Sequence, residues 1–241
     1  MFFFCKPKKI VIDCFTTHTG AYNLNPIDLA VKYFPDWWKP MPNSTSVADP
    51  VTIELSTIKK CPGILDLYKS SIILPLWSDM AVEPKEDNTY WWKFADGKTR
   101  LDTHPIQQLG NAFKKYQHIK ILSPWFIKEK SETKFLMTPC TWSLLDITSN
   151  INILTGVVEF KHQNATNINF FIDLNRKEPL FLEAGTPLYH LVPLTDKSVE
   201  VKNHLITKQE FDKLFNYTIC GVKFSGNYNT RKKANNKTCP F

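Results

Sequence analysis

Short apolar runs, each closed by turn residues, recur along the second half of this chain and leave little room for helices. They are "IKILSPWFIKEK" (119–130), "KFLMTPCTW" (134–142), "GVVEFKHQ" (156–163), "ATNINFFIDL" (165–174), "EPLFLEAG" (178–185) and "TPLYHLVPLT" (186–195). Leu, Phe, Ile and Val supply most of their apolar residues, and Pro, Gly, Asn and Asp punctuate them. A helix that buries one face needs about ten or more residues of continuous periodicity, which these runs lack. Short strands at regular spacing with stiff turns predict an antiparallel β-barrel or β-sandwich. The fold expected is therefore mainly β, a single β-barrel or β-sandwich with a few short peripheral helices. Residues 119–195 are expected to form its core β meander.

The first hundred residues add strands, short helices and an aromatic hairpin over 8–100. "KKIVIDCFT" (8–16) reads as a first strand. "NPIDLAVKYF" (25–34) reads as a helix, with Asn25 as N-cap, Pro26 in the first turn and Ile27, Ala30, Val31 and Phe34 on one face. "VTIELSTI" (51–58) alternates as a strand does, and "CPGILDLYKSS" (61–71) reads as a Pro-started short helix. "SIILPLWSDMAVEP" (71–84) and "TYWWKFADGKTR" (89–100) flank an acidic loop and predict a hairpin, with a further turn at Asp96-Gly97. "HPIQQLGNAFKKY" (104–116) suits a short helix or a covering loop. "TKQEFDKLF" (207–215) carries a capping box, Thr207 with Glu210, and predicts a helix. No linker or repeat divides residues 1–241, so one domain is expected, with a flexible basic tail over 222–241.

Composition narrows the function classes. With 43% hydrophobic and 22% charged residues the chain is no disordered protein. The net charge of +7 permits a nucleic-acid partner. It does not favour one, because much of the excess lies at the ends, in Lys6, Lys8, Lys9, Arg231, Lys232, Lys233 and Lys237. No pair among the six Cys has C-x-x-C spacing, which argues against a zinc ribbon or a thioredoxin motif. The N-terminus has the wrong order for a secretory signal, and no stretch approaches the ~20 apolar residues of a membrane span. The expectation is a soluble, cytosolic protein with reduced thiols and no membrane partner. The N-x-S/T triplets at Asn43, Asn164, Asn216 and Asn236 then meet no glycosylation enzyme.

The strong catalytic signatures are absent: no phosphate-binding G-x-x-x-x-G-K-S/T, no G-x-G-x-x-G, no G-x-S-x-G and no H-E-x-x-H. A metal site would have to draw on His162 and His190, with Glu159. Glu159 and His162 are three residues apart, which on a regular strand sets them on opposite faces. Carboxylates that could work in pairs are Asp79, Asp96, Asp102, Glu159 and Asp173, although Asp96 also suits a plain turn. The seven Trp cluster, and Trp37, Trp38, Trp91 and Trp92 form the candidate partner surface. The same "WWKP" and "WWKF" pairs could stack bases.

Two resemblances extend this reading. "FPDWWKPMP" (34–42), "IKKCPGILDLYKSSIILPLWSDMAV" (58–82), "KILSPWFIKEK" (120–130), "NATNINFFI" (164–172) and "AGTPLYHLVPL" (184–194) occur in an order that resembles a family of uncharacterised proteins of tailed phages of marine bacteria. That resemblance implies a phage product made in the host cytoplasm during infection, with virion association open, and implies no reaction. Locally, "GVVEFKHQ…INFFIDL…FLEAGTPLYHLV" is similar to the later core of the trimeric dUTPase and dCTP deaminase barrel. Gly156 and Gly185 match that family's glycines, and Glu159 falls where it has a water-activating Asp. His190 falls at its Gln, and the Tyr expected after the Asp is missing. This resemblance implies Glu159 as the catalytic residue; Ser123, Trp125, Asn167, Asn169 and His190 are the candidate ligand-binding residues.

The leading expectation is a phage-encoded soluble accessory or binding protein, as a possible homo-oligomer. The alternatives are a nucleotide-binding or nucleotide-hydrolysing dUTPase-like barrel and a cupin-like metal-dependent enzyme. No cofactor follows from the sequence.

Overall fold

Turn residues cut the chain into short strands that pair across long distances. A computed structural model describes residues 9–48, 52–85, 90–104, 113–143, 151–215 and 232. β1 (Ile10–Thr16) lies between β10 (Phe126–Glu129), antiparallel, and β17 (Val199–Leu205), parallel. A five-stranded sheet runs in the order β13 (Gly156–Glu159), β11 (Lys134–Pro139), β16 (Pro187–Pro193), β5 (Ile72–Pro75) and β2 (Asp28–Leu29). A four-stranded sheet runs β12 (Ile151–Ile153), β14 (Ile168–Asp173), β9 (Tyr116–Ile121) and β8 (Leu101–His104). β15 (Leu180–Leu182), β6 (Met80–Pro84) and β7 (Tyr90–Phe94) make a smaller sheet. β3 (Ser44–Ala48) and β4 (Thr52–Ser56) pair only with each other and stand almost wholly exposed, with Val47, Ile53 and Leu55 in solvent.

The fold is thus mainly β. Among the described residues every sheet ends in open edges and none closes on itself, so the arrangement is sandwich-like rather than a closed barrel. The strands of 119–195 do not pair in order as a meander. They are dealt out to four sheets, because their partners include β1, β5 and β6 from the N-terminal region.

One continuous core joins these sheets. Ile10, Ile12, Ile72, Leu74, Ile119, Ile121, Trp125, Phe135, Phe160, Phe170 and Leu191 lie within it at 0–1% exposure. Burying each such side chain is worth about 1.5–3 kcal/mol before the loss of chain entropy is counted. β16 is buried on both faces, which erases the alternation that would mark a half-exposed strand. Its Tyr189 and Leu191 enter the main core. Its His190 faces a second, smaller cluster of Ala30, Trp38, Ile64, Tyr68, Ile73 and Cys140.

Three helices flank the sheets among the described residues. α1 (Thr19–Leu24) opens on His18, α2 (Pro62–Ser70) has Pro at its start, and α3 (Lys208–Leu214) has the predicted capping box. In that box Thr207 Oγ1 accepts the Glu210 N–H at 3.2 Å, and the Glu210 carboxylate accepts the Thr207 N–H at 2.8 Å. The helix expected over 25–34 is not there. Asn25 closes α1 instead, donating its backbone N–H to Ala21 O at 3.2 Å. Asp28 and Leu29 then pair with Ile73 and Ile72, and only Ala30–Tyr33 winds as a short 3₁₀ turn. Sheet pairing outweighs the local helix signal at this site. The hairpin of β6 and β7 and the Asp96-Gly97 turn, with Gly97 at φ +59°, form as expected. The basic tail over 222–241, apart from Lys232, and residues 105–112 lie outside the described residues. No helix among the described residues is long and apolar enough to cross a membrane.

Candidate functional site

The strand pairing brings Asn167 and Asn169 into one cleft of about 420 Å³. The two residues are two apart, so their side chains leave the same face of the chain leading into β14. β9 runs antiparallel beside β14, and its register sets Lys120 opposite Asn169. The turn from β12 to β13 supplies Leu154 and Thr155, β13 supplies Gly156, Val157 and Val158, and Gln163 and Met137 complete much of the wall. Tyr189 ties the base of the cleft together. Its hydroxyl lies 2.7 Å from Leu154 O and 3.3 Å from Asn169 O, linking the five-stranded sheet to the four-stranded one. Burial pushes the Tyr189 phenol well above its ordinary range, outweighing the hydrogen bond to Asn169 O, so it stays a neutral donor.

The polar wall of this cleft carries three side-chain amides beside Lys120 and His118. The side chains of Asn167, Asn169 and Gln163 make no hydrogen bond with another described residue, so each presents a donor and an acceptor to the cleft. Lys120 reaches Asp102 at 3.3 Å across a partly exposed surface. Met137, Leu154, Val157 and Val158 provide an apolar wall.

The other residues singled out in the sequence do not gather here. Glu159 is absent from the cleft wall. The chain turns after β13, so Glu159 and His162 meet on one side at 3.3 Å, against the expectation of opposite faces. Ser123 and Trp125 are interior: Ser123 Oγ accepts the Trp125 N–H at 3.2 Å and lies 2.9 Å from Thr166 Oγ1. His190 lies on the far face of β16, 1% exposed, its Nδ1 2.9 Å from Ser71 Oγ and its ring edge-on to Tyr68. His162 and His190 therefore share no site. Among the described residues no group of three or more His, Cys, Asp or Glu converges as metal ligands would.

The candidate tryptophan surface also divides. Trp38 is 4% exposed and stacks with Phe34, and Trp37 donates its indole N–H to Trp142 O at 3.0 Å. Trp92, partly buried, packs beside Phe170 against the main core. Only Trp91 of the four is exposed, at 41%.

The remaining carboxylates are structural fixtures. Asp96 organises its turn by accepting the N–H groups of Lys98 and Thr99. Its burial alone would raise its pKa, but hydrogen bonds from Thr99, Lys98 and His18 outweigh that and hold it below the usual carboxylate value. Asp79 accepts the Ala184 N–H at 2.7 Å, joining β6 to the turn after β15. Asp13 meets His204 at 2.8 Å across β1 and β17. Buried Glu129 accepts from the backbone of Ser131 and Thr133 and closes the turn from β10 to β11.

Sequence reasoning did not find Lys120, Gln163 or Tyr189 for the cleft. Tyr189 reads as one more core aromatic, and only the pairing of β9 with β14 sets Lys120 beside Asn169. No protein-family model matches the chain, and neither does any curated protein.

Proposed function

We propose that this chain is a non-enzymatic accessory protein that binds a small, uncharged polar molecule of the nucleoside class in the cleft at Asn167 and Asn169. The observation that carries the reading is the set of side-chain amides of Asn167, Asn169 and Gln163 around one concavity, none of them hydrogen-bonded to another described residue. A side-chain amide offers a donor and an acceptor in one plane, the pattern that pairs with the edge of a base. The apolar wall of Met137, Leu154, Val157 and Val158 suits the face of a ring, and the volume suits a ligand of this size. The similarity of residues 156–194 to the dUTPase and dCTP deaminase core supports the same ligand class. The similarity to proteins of marine tailed phages supports a setting in the infected cell. Hydrolysis is not part of the proposal, because Glu159 points to His162 rather than into the cleft.

Calorimetric titration with a panel of nucleosides and monosaccharides tests this reading. At least one nucleoside binds the wild type. Two lost hydrogen bonds of about 1 kcal/mol each make Asn167→Ala/Asn169→Ala bind about 30-fold more weakly. A panel with no nucleoside binder, or a double variant that binds as well as wild type, refutes it. Binding of monosaccharides alone would keep the cleft and replace the ligand class.

A further inference from the structure

A second cavity, of about 460 Å³, opens between the end of β1, the turn after β7 and the loop after β9. It is lined by Thr17, His18, Thr19, Lys98, Thr99 and Arg100, with Gly20, Leu122 and Pro124 completing it. We infer that it is a binding site for a small phosphate monoester.

The argument starts from "TTHTG" (16–20). The hydroxyl oxygen of buried Thr16 accepts the His18 N–H at 3.0 Å, fixing the turn out of β1. His18 Nδ1 accepts the Ala21 N–H at 2.9 Å, so that nitrogen carries no proton and Nε2 does. Gly20 leaves room for the ring, since a Cβ there would stand 3.1 Å from His18 Cε1. Nε2–H donates to Asp96 Oδ2 at 3.2 Å. Both His18 nitrogens are thus committed, and the imidazole acts as a strut between two loops rather than as a base.

Asp96 is equally committed. Its Oδ1 accepts the N–H groups of Lys98 at 2.9 Å and Thr99 at 3.0 Å, and its Oδ2 accepts the Thr99 hydroxyl at 2.5 Å as well as His18. Thr99 Oγ1 in turn accepts the Trp77 indole N–H at 2.8 Å. The segment carrying Lys98 and Arg100 is therefore held by a closed network, and both cations line the cavity. Neither forms an ion pair with a described carboxylate, and among the described residues no carboxylate lines the wall. The Thr17 and Thr19 hydroxyls make no hydrogen bond with another described residue and add further donors.

A guanidinium and an ammonium facing one concavity match a phosphate, Arg by its planar fork and Lys as a point charge. The concave shape and size favour a small molecule over a polymer, and Leu122 and Pro124 offer an apolar face for its organic part. This site shares no lining residue with the amide cleft, so it stands or falls independently.

Titration of the full chain with phenyl phosphate, followed by phosphorus NMR and calorimetry, tests the inference, with phenol and a short single-stranded DNA as comparators. Phenyl phosphate binds one to one and phenol does not bind. Lys98→Ala and Arg100→Ala each weaken binding about tenfold or more, since each removes a charge-assisted contact. Arg100→Lys recovers part of the loss, and Asn167→Ala/Asn169→Ala leaves binding unchanged. Both cations are exposed, so unaltered unfolding midpoints in the variants separate lost binding from lost folding. The inference is overturned if wild type does not bind phenyl phosphate or if the Lys98 and Arg100 variants bind as well as wild type. It is also overturned if the DNA binds more tightly than the monoester and loses affinity in the same variants, which would make this an open backbone-binding surface.

Discussion

Lowering the pH should destabilise this protein through His190. Ser71 donates its hydroxyl hydrogen to Leu67 O at 2.6 Å, so its oxygen accepts His190 Nδ1–H at 2.9 Å. That leaves Nε2 unprotonated, buried and without a hydrogen-bond partner among the described residues. Protonation would place a charge against the Tyr68 edge, with no carboxylate among the described residues paired to it, and burial lowers the His190 pKa from 6.5 to about 4. The unfolded chain takes up the proton first, so this group's contribution is complete above pH 6.5 and is lost as the pH falls toward about 4. At about pH 5, roughly 1.5 units below the unfolded value, the loss is about 2 kcal/mol, at 1.36 kcal/mol per unit. Urea unfolding of wild type and His190→Asn at about pH 7 and about pH 5 measures it, the variant removing the titration while keeping a donor near Ser71. The variant starts less stable, so the quantity read is the change with pH, which cancels the other titrating groups. Wild type should lose about 2 kcal/mol more than the variant between the two conditions. Parallel losses would refute the reasoning and mean that the imidazole finds a partner or solvent on protonation.

Further expectations follow from local geometry and burial. Gly185 has φ +89°, and a Cβ there would stand 2.9 Å from Asn25 Oδ1, so Gly185→Ala should destabilise by about 1–3 kcal/mol. A Cβ at Gly156 would meet no atom within 4 Å, and its φ is not positive, so Gly156→Ala should shift the melting temperature little, and equal shifts in the two variants would contradict this. Burial pushes the Cys14 and Cys140 thiols far above their ordinary range, so native iodoacetamide labelling followed by peptide mapping should leave both unmodified while half-buried Cys61 reacts. Labelling of Cys14 or Cys140 at the rate of the unfolded chain would count against the packing described.

What the sequence by itself determined is local. The Thr207 and Glu210 capping box, the Pro62 helix start, the β6 and β7 hairpin and the Asp96-Gly97 turn each depend on residues a few positions apart, and each forms. The mainly β character follows from the same short-range punctuation. The i, i+2 spacing of Asn167 and Asn169 already set their side chains on one face. Tertiary structure decided the rest, because it depends on contacts between residues far apart in the chain. Pairing with Ile72 and Ile73 turned the expected helix at 25–34 into an extended segment. Two-sided burial of β16 sent Tyr189 to the amide cleft and the adjacent His190 to the opposite cluster. In both tryptophan pairs the second ring is the more buried, but packing against other elements decided how deep each goes: Trp38 is buried and Trp92 only partly so. Lys98 and Arg100 share a cavity wall with Thr17 and Thr19 where His18 bridges to Asp96 across 78 positions. Side-chain direction along one strand is set by backbone geometry, but which face meets another sheet is set by register, and no short window of sequence contains both partners.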